Sequence, residues 1–225
     1  MLAPGEPPAD LPSDPAGARQ PRELRGLVPF EVAAVVVLAI VPLPEAVPVT
    51  LPLLVVATAS RWVRRRDWGQ LMRADGWTMA VGAAAGLVAL AIAVVAGAPF
   101  VELMSGRAVE WSAFPIVRGN APQLVLVALV VIAMAIASEL ALRGWIVERV
   151  RELSPGPPIL PVVVGAVAEA LVTPGDLAVR AGAGVFGAGL GWIYVAASGN
   201  VVAPICARIA FSLAAVALEA LRIIG

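Results

Sequence analysis

Long apolar runs separated by short polar breaks constrain this chain more than any other feature of its sequence. The clearest run, residues 77–98, contains no charged residue. About 20 consecutive apolar residues are enough for a helix to cross the hydrocarbon core of a bilayer. In lipid such a segment must satisfy its own backbone hydrogen bonds, which favours a helix. The sequence therefore predicts an all-α fold, a polytopic transmembrane helical bundle.

Composition supports this fold class and excludes several functions. Hydrophobic residues make up 60% of the chain and charged residues only 14%, whereas about a quarter of the residues in a soluble domain are charged. The formal net charge is zero, so nucleic acid is not expected as a partner. The chain has no histidine and one cysteine, Cys206. Imidazole chemistry is thereby excluded, and we expect no metal and no cofactor.

We divide the chain into a disordered, Pro-rich tail, residues 1–27, and a transmembrane domain, residues 28–225. About seven spans are predicted, at residues 28–43, 46–60, 77–98, 122–147, 159–172, 177–197 and 201–224. The first two are short and read as a helical hairpin. Trp62, Trp68 and Trp77 bracket an arginine-rich stretch that the positive-inside rule makes interfacial and cytoplasmic. This orientation predicts a cytoplasmic N-terminus as well.

Glycine recurs along the sixth predicted span. The glycines are Gly182, Gly184, Gly187, Gly189 and Gly191. Small residues at such spacings let helix backbones approach closely in lipid. We interpret this flank as a packing surface rather than a binding site.

Four ionisable residues interrupt the apolar runs of the C-terminal half: Glu139, Arg143, Glu169 and Arg208. A charge at bilayer depth is costly, so each marks a candidate functional site. Glu139 and Arg143 are one helical turn apart and are expected to pair. The same cost favours pairing of Glu169 with Arg208 across helices. The alternative is that each charge snorkels or faces a separate water pocket.

Three segments resemble one family. Residues 138–144, Ser-Glu-Leu-Ala-Leu-Arg-Gly, resemble the Glu-Glu-x-x-x-Arg-Gly signature of the CAAX protease and bacteriocin-processing (CPBP, or Abi) intramembrane peptidases. Residues 165–169, Gly-Ala-Val-Ala-Glu, stand where that family has Phe-x-x-x-His. The stretches Gly187 to Tyr194 and Ser198 to Arg208 resemble its final block, which ends in His-x-x-x-Asn.

The resemblance implies a multi-pass protein of the bacterial plasma membrane and a site that has changed. In the family, a glutamate and a histidine activate water, while a second histidine and an asparagine stabilise the oxyanion. The corresponding positions here are Ser138, Glu169, Arg208 and Ser212, and all four differ. The signature residues Glu139 and Arg143 are retained.

Three functions are consistent with these residues. The leading hypothesis is a catalytically inactive pseudoprotease that binds a membrane protein, a lipidated peptide or a lipid. The second is an active endopeptidase of the CAAX-processing or bacteriocin-immunity type, with Glu169 or Glu139 as the base and Arg208 as the oxyanion donor. The third is a small transporter, suggested by intramembrane charges and broken helices.

Overall fold

The computed structural model describes residues 26, 28–40, 48–106, 117–153, 157 and 159–221. In this part of the chain nine α-helices are present and no strand. They are α1 (Val28–Ile40), α2 (Thr50–Val63), α3 (Gly76–Ile92), α4 (Ala98–Ser105), α5 (Ala121–Ala141), α6 (Glu148–Leu153), α7 (Ile159–Val172), α8 (Leu177–Ala196) and α9 (Val202–Ala220). The predicted all-α class is confirmed. The tail predicted for residues 1–27 lies outside the described residues, apart from Gly26.

Four helical segments are long and apolar enough to cross a membrane: Gly76–Ser105, Ala121–Leu153, Leu177–Ala196 and Val202–Ala220. Three shorter apolar helices accompany them, at Val28–Leu38, Thr50–Val63 and Ile159–Val172. These seven segments correspond to the seven predicted spans. The short hairpin arms expected from the sequence are present as α1 and α2. The helices form a bundle suited to a lipid bilayer.

Polar side chains define where the long helices begin. Asp75, Asn120 and Asp176 each accept a hydrogen bond from a backbone N–H in the first turn of the following helix. Such caps satisfy donors that a helix start leaves unpaired. The hydrogen bonds that Thr78 donates to Asp75 also hold the pKa of this carboxyl below its usual value.

Two helices contain a π-helical segment. Residues Ala93–Gly97 join α3 to α4 just before Pro99. Proline lacks an N–H and its ring clashes with the carbonyl four residues earlier, so the hydrogen-bond ladder widens there. The second segment, Leu142–Val147, joins α5 to α6 and contains Arg143. Such single-turn widenings frequently occur at functional sites.

Helices α3 and α9 form the most extensive helix contact in the bundle, and two glycines explain why. A Cβ on Gly82 would lie 2.3 Å from the carbonyl oxygen of Ala203, and one on Gly86 would lie 2.0 Å from that of Ala207. Both distances are far below contact range, so only glycine fits. A Gly-x-x-x-Gly stripe on α3 therefore packs on an Ala-x-x-x-Ala stripe on α9. This contact fixes the position of α9 directly beside Arg208, which follows Ala207 on that helix.

The glycines of α8 are less uniform than predicted. A Cβ on Gly187 would lie 2.7 Å from Cβ of Glu169, so Gly187 is required for close packing. No atom of the described residues lies within 4 Å of the corresponding position on Gly182 or Gly189. The interpretation of all five glycines as one tight packing surface is therefore wrong at Gly182 and Gly189, which stand on an open side of the helix.

Buried arginines at one end of the bundle form an interfacial charge cluster, composed of Glu31, Arg61, Arg64, Arg66, Glu148, Arg149 and Glu152. Arg61 is 1% exposed and lies 2.6 Å from Glu148. Its guanidinium also sits 4.5 Å from the centre of the Trp68 ring. Arg64 bonds to Glu31 at 3.0 Å. The end of α2 and the start of α1 therefore share one face of the bundle.

Side-chain exposure varies along the arginine-rich stretch predicted to lie at the membrane interface. Trp62 and Trp77 are 80% and 79% exposed, as expected of interfacial anchors. Arg61 and Arg64, however, are buried, and each guanidinium pairs with a carboxylate, Glu148 on α6 and Glu31 on α1 respectively. The assignment of this face to the cytoplasm stays a prediction.

Removing Arg61 is expected to destabilise the protein because two groups lose a hydrogen-bond donor. Glu148 would lose the guanidinium that lies 2.6 Å away, and the carbonyl oxygen of Asp67 would lose the one that lies 2.5 Å away. We expect Arg61→Met to lower the free energy of unfolding by roughly 3 kcal/mol. The exposed neighbour Arg65 provides the control. Arg65→Met is expected to change stability by less than about 0.5 kcal/mol. Thermal unfolding in nanodiscs measures both, and equal effects would contradict the cluster.

Candidate functional site

The four intramembrane charges predicted from the sequence meet at one place. Glu139 on α5 and Arg143 in the π-helical segment face Glu169 on α7 and Arg208 on α9. We call these four residues the central charge network. They come from three different helices and lie up to 69 residues apart in sequence. Packing of the bundle, rather than local sequence, brings them together.

Each guanidinium of the network contacts both carboxylates. Arg143 Nη1 lies 3.3 Å from Glu139 Oε1 and 2.5 Å from Glu169 Oε2. Arg208 donates from Nε to Glu139 Oε1 at 2.5 Å and from Nη2 to Glu169 Oε2 at 2.6 Å. The four contacts form a closed ring of two positive and two negative charges. The ring is neutral overall, which reduces the cost of burying its members.

The network is almost closed to solvent. The side chains of Glu139 and Arg143 are fully buried, while those of Glu169 and Arg208 are 6% and 16% exposed. The Phe186 ring covers the guanidinium of Arg208 at 5.4 Å from its centre. Phe186 also packs on Phe211, with ring centres 4.7 Å apart. The more exposed arginine is therefore covered by Phe186, which Phe211 supports from the side.

Helix α8 completes the site through its backbone. Arg143 Nη2 donates to the carbonyl oxygen of Gly187 at 2.7 Å. The carbonyl can approach because Gly187 has no side chain to collide with Glu169. We expect Gly187→Ala to separate α8 from α7 and lengthen this hydrogen bond. The sequence pattern identified Gly187 as a packing residue but gave no sign that its carbonyl supports Arg143.

One oxygen of the network lacks a partner. Glu139 Oε2 is buried and accepts no hydrogen bond from any described residue, and Arg143 Nε likewise has no acceptor there. Buried polar groups are usually satisfied by protein or by ordered water. These two atoms are therefore the points of the network where a water molecule or a ligand group would bind.

The sequence-predicted residues are brought together only in part. Pairing of Glu139 with Arg143 and of Glu169 with Arg208 is confirmed. The additional contacts between Arg143 and Glu169 and between Arg208 and Glu139 were not foreseen. Ser138 is buried beside Glu139, and Ser212 is half-buried one turn beyond Arg208. Among the described residues neither hydroxyl hydrogen bonds to the network.

The comparison with protein families bears on this same part of the chain. Residues 120–214 match the model of the family described as type II CAAX prenyl endopeptidase Rce1-like. This part of the chain is similar to that family. The matched range contains all three segments that resemble the CPBP peptidases, so the expected resemblance is confirmed. No curated protein and no solved structure shows a significant match to the chain.

The central charge network lies wholly within the Rce1-like part. Helices α1 to α4 precede the match, yet α3 packs on α9 and α2 packs on α5. The preceding helices therefore form one bundle with the matched residues. These observations support a helical membrane protein whose polar centre is buried between helices and whose matched part is similar to the CPBP peptidases.

Proposed function

We propose that this chain is a catalytically inactive pseudoprotease of CPBP type, which binds a membrane protein, a lipidated peptide or a lipid without cutting it. The observation that carries the proposal is the closed ring of the central charge network. A general base must accept a proton from water within hydrogen-bond reach. Glu139 Oε1 and Glu169 Oε2 each already accept two guanidinium N–H groups.

The arginines in the network also differ from the groups that the resemblance implies for this site. A histidine can exchange a proton near neutral pH, whereas a guanidinium stays charged and only donates hydrogen bonds. With Glu169 and Arg208 at the positions of the two family histidines, the site holds an ion pair where a proton-transfer pair would be needed. This supports structural use of the former catalytic centre in a bacterial plasma membrane protein.

An active endopeptidase is the second candidate, and one observation favours it. Glu139 Oε2 has no hydrogen-bond partner among the described residues, so it retains a free lone pair for a water molecule, with Arg208 beside it as a cationic donor. The full burial of the Glu139 side chain opposes this role, because water and a peptide bond would have to reach it through the packed ring.

A cleavage assay separates the two candidates. The probe is a farnesylated Cys-a-a-X peptide with a fluorophore and a quencher on opposite sides of the scissile bond, added to the full chain in nanodiscs. We expect no fluorescence increase above empty nanodiscs, together with a rise in the anisotropy of a singly labelled peptide on binding. Cleavage that Glu139→Gln abolishes would overturn the inactive assignment. Absence of both signals would rule out this peptide as the partner.

A further inference from the structure

A polar cavity of about 520 Å³ lies at one end of the bundle. Its wall includes Arg73, Arg151, Tyr194, Ser198 and Asn200. The volume falls within the range of about 300–1,000 Å³ typical of small-molecule sites. The cavity is separate from the central charge network, because Asn200 and Arg208 are eight residues apart, roughly 12 Å along a helix.

The position of the cavity relative to the candidate spans is informative. Its wall takes Asp75 from just before the first of the four long segments and Glu152 from the end of the second. Ala197 directly follows the third segment, and Asn200 precedes the fourth. All four candidate spans therefore end at this cavity. In a membrane it lies at the level of the lipid head groups.

The charges around the cavity favour an anion. The lining carboxylates of Glu148 and Glu152 are already bonded to arginines of the interfacial charge cluster. Arg73 and Arg151, in contrast, pair with no carboxylate among the described residues. The lining residues themselves carry two arginines and three carboxylates. Together with the whole interfacial charge cluster the count becomes six positive and four negative charges, namely Arg61, Arg64, Arg66, Arg73, Arg149 and Arg151 against Glu31, Asp75, Glu148 and Glu152.

A glycine keeps the arginine side of the cavity open. Gly199 has a φ of 82°, which side-chain-bearing residues rarely adopt. A Cβ there would lie 3.3 Å from Nη1 of Arg151 and 3.5 Å from the hydroxyl oxygen of Tyr194. The guanidinium of Arg151 and the buried Tyr194 hydroxyl therefore lie side by side on a wall that carries no intervening side chain. Arg151 also hydrogen bonds to the Tyr194 hydroxyl, which holds its guanidinium at the cavity wall.

We propose that this cavity binds the phosphate head group of a membrane phospholipid, with Arg73 and Arg151 as its guanidinium ligands. Guanidinium groups match phosphate oxygens in geometry and form strong charge-assisted hydrogen bonds with them. Basic pockets between the ends of transmembrane helices are suited to lipid head groups. This site goes beyond the proposed function, and it is independent of whether the central charge network is inert.

Native mass spectrometry of the full chain, titrated with phosphatidylglycerol, tests the proposal. We expect the wild type to retain one lipid that the Arg73→Gln/Arg151→Gln variant binds about tenfold more weakly, the loss of at least one charge-assisted hydrogen bond. The matched control is Arg65→Gln, since Arg65 is exposed near the same end but does not line the cavity. It is expected to retain the lipid.

Three outcomes would overturn the site. Equal lipid retention by the double variant and the wild type would remove the two arginines as ligands. An equal loss in Arg65→Gln would mean general surface attraction instead of a cavity. Competition by soluble glycerol phosphate at the affinity of the lipid would assign the site to a free phosphate compound. Thermal unfolding is measured in parallel, and because Arg73 and Arg151 pair with no described carboxylate, the double variant is expected to fold.

Discussion

Arg143→Met is expected to lower the free energy of unfolding by about 3–5 kcal/mol, the cost of leaving buried charges without a partner. The side chain is fully buried and contacts Glu139, Glu169 and the carbonyl of Gly187. Methionine retains much of the volume but none of the donors. Two carboxylates would then share Arg208 alone. Thermal or denaturant unfolding in nanodiscs measures the loss.

The control for this change is Arg180→Met. Arg180 is exposed on α8, and its Nε donates to the carbonyl of Gly175. Surface substitutions of this kind usually change stability by no more than about 0.5 kcal/mol. A small effect at Arg143, comparable to that at Arg180, would mean that the network does not stabilise the bundle.

Gly86→Ala is expected to lower the free energy of unfolding, whereas Gly189→Ala is expected to leave it unchanged or to raise it. A Cβ on Gly86 would lie 2.0 Å from the carbonyl oxygen of Ala207, so α3 and α9 must separate. Overpacking of this kind costs about 1–3 kcal/mol, and more where backbone must move. At Gly189 a Cβ would have no atom of the described part of the chain within 4 Å. Alanine there improves helix propensity and is expected to be neutral or to stabilise by up to about 1 kcal/mol.

The comparison of these two alanine variants tests the close contact of α3 with α9. Both sites are helical glycines in candidate spans, so the change in backbone entropy is matched. Thermal unfolding of the two variants in the same nanodiscs gives the difference directly. If Gly86→Ala were as stable as Gly189→Ala, the glycine stripe would not determine this contact.

Much of the fold followed from the sequence because lipid imposes strong rules on apolar segments. Run lengths predicted the four long helices and the shortness of α1 and α2. The cost of a lone charge in lipid predicted the contact between Glu169 and Arg208, although their helices are not adjacent in sequence. These features depend on local composition and on a simple energetic penalty.

The remaining features depend on three-dimensional packing. Nothing in the sequence around Arg61 shows that Glu148, 87 residues away, bonds to it. The hydrogen bond from Arg143 to the carbonyl of Gly187 depends on the close approach of α8 to α7 at this glycine, which no spacing rule specifies. The Gly82 to Gly86 stripe carried a readable signal, since small residues four apart favour close helix packing. Its partner on α9, Ala203 and Ala207, has the same spacing.

The most direct test of the central claim is a double-mutant cycle on Glu169 and Arg208. The unfolding free energies of Glu169→Ala, Arg208→Ala, the double variant and the wild type are compared in nanodiscs. We predict that each single change lowers the free energy of unfolding. The loss in the double variant is expected to be smaller than the sum of the two single losses by a coupling energy of about 1–3 kcal/mol. Additive costs would contradict the account, because the two side chains would then act as separate charges instead of members of one closed network.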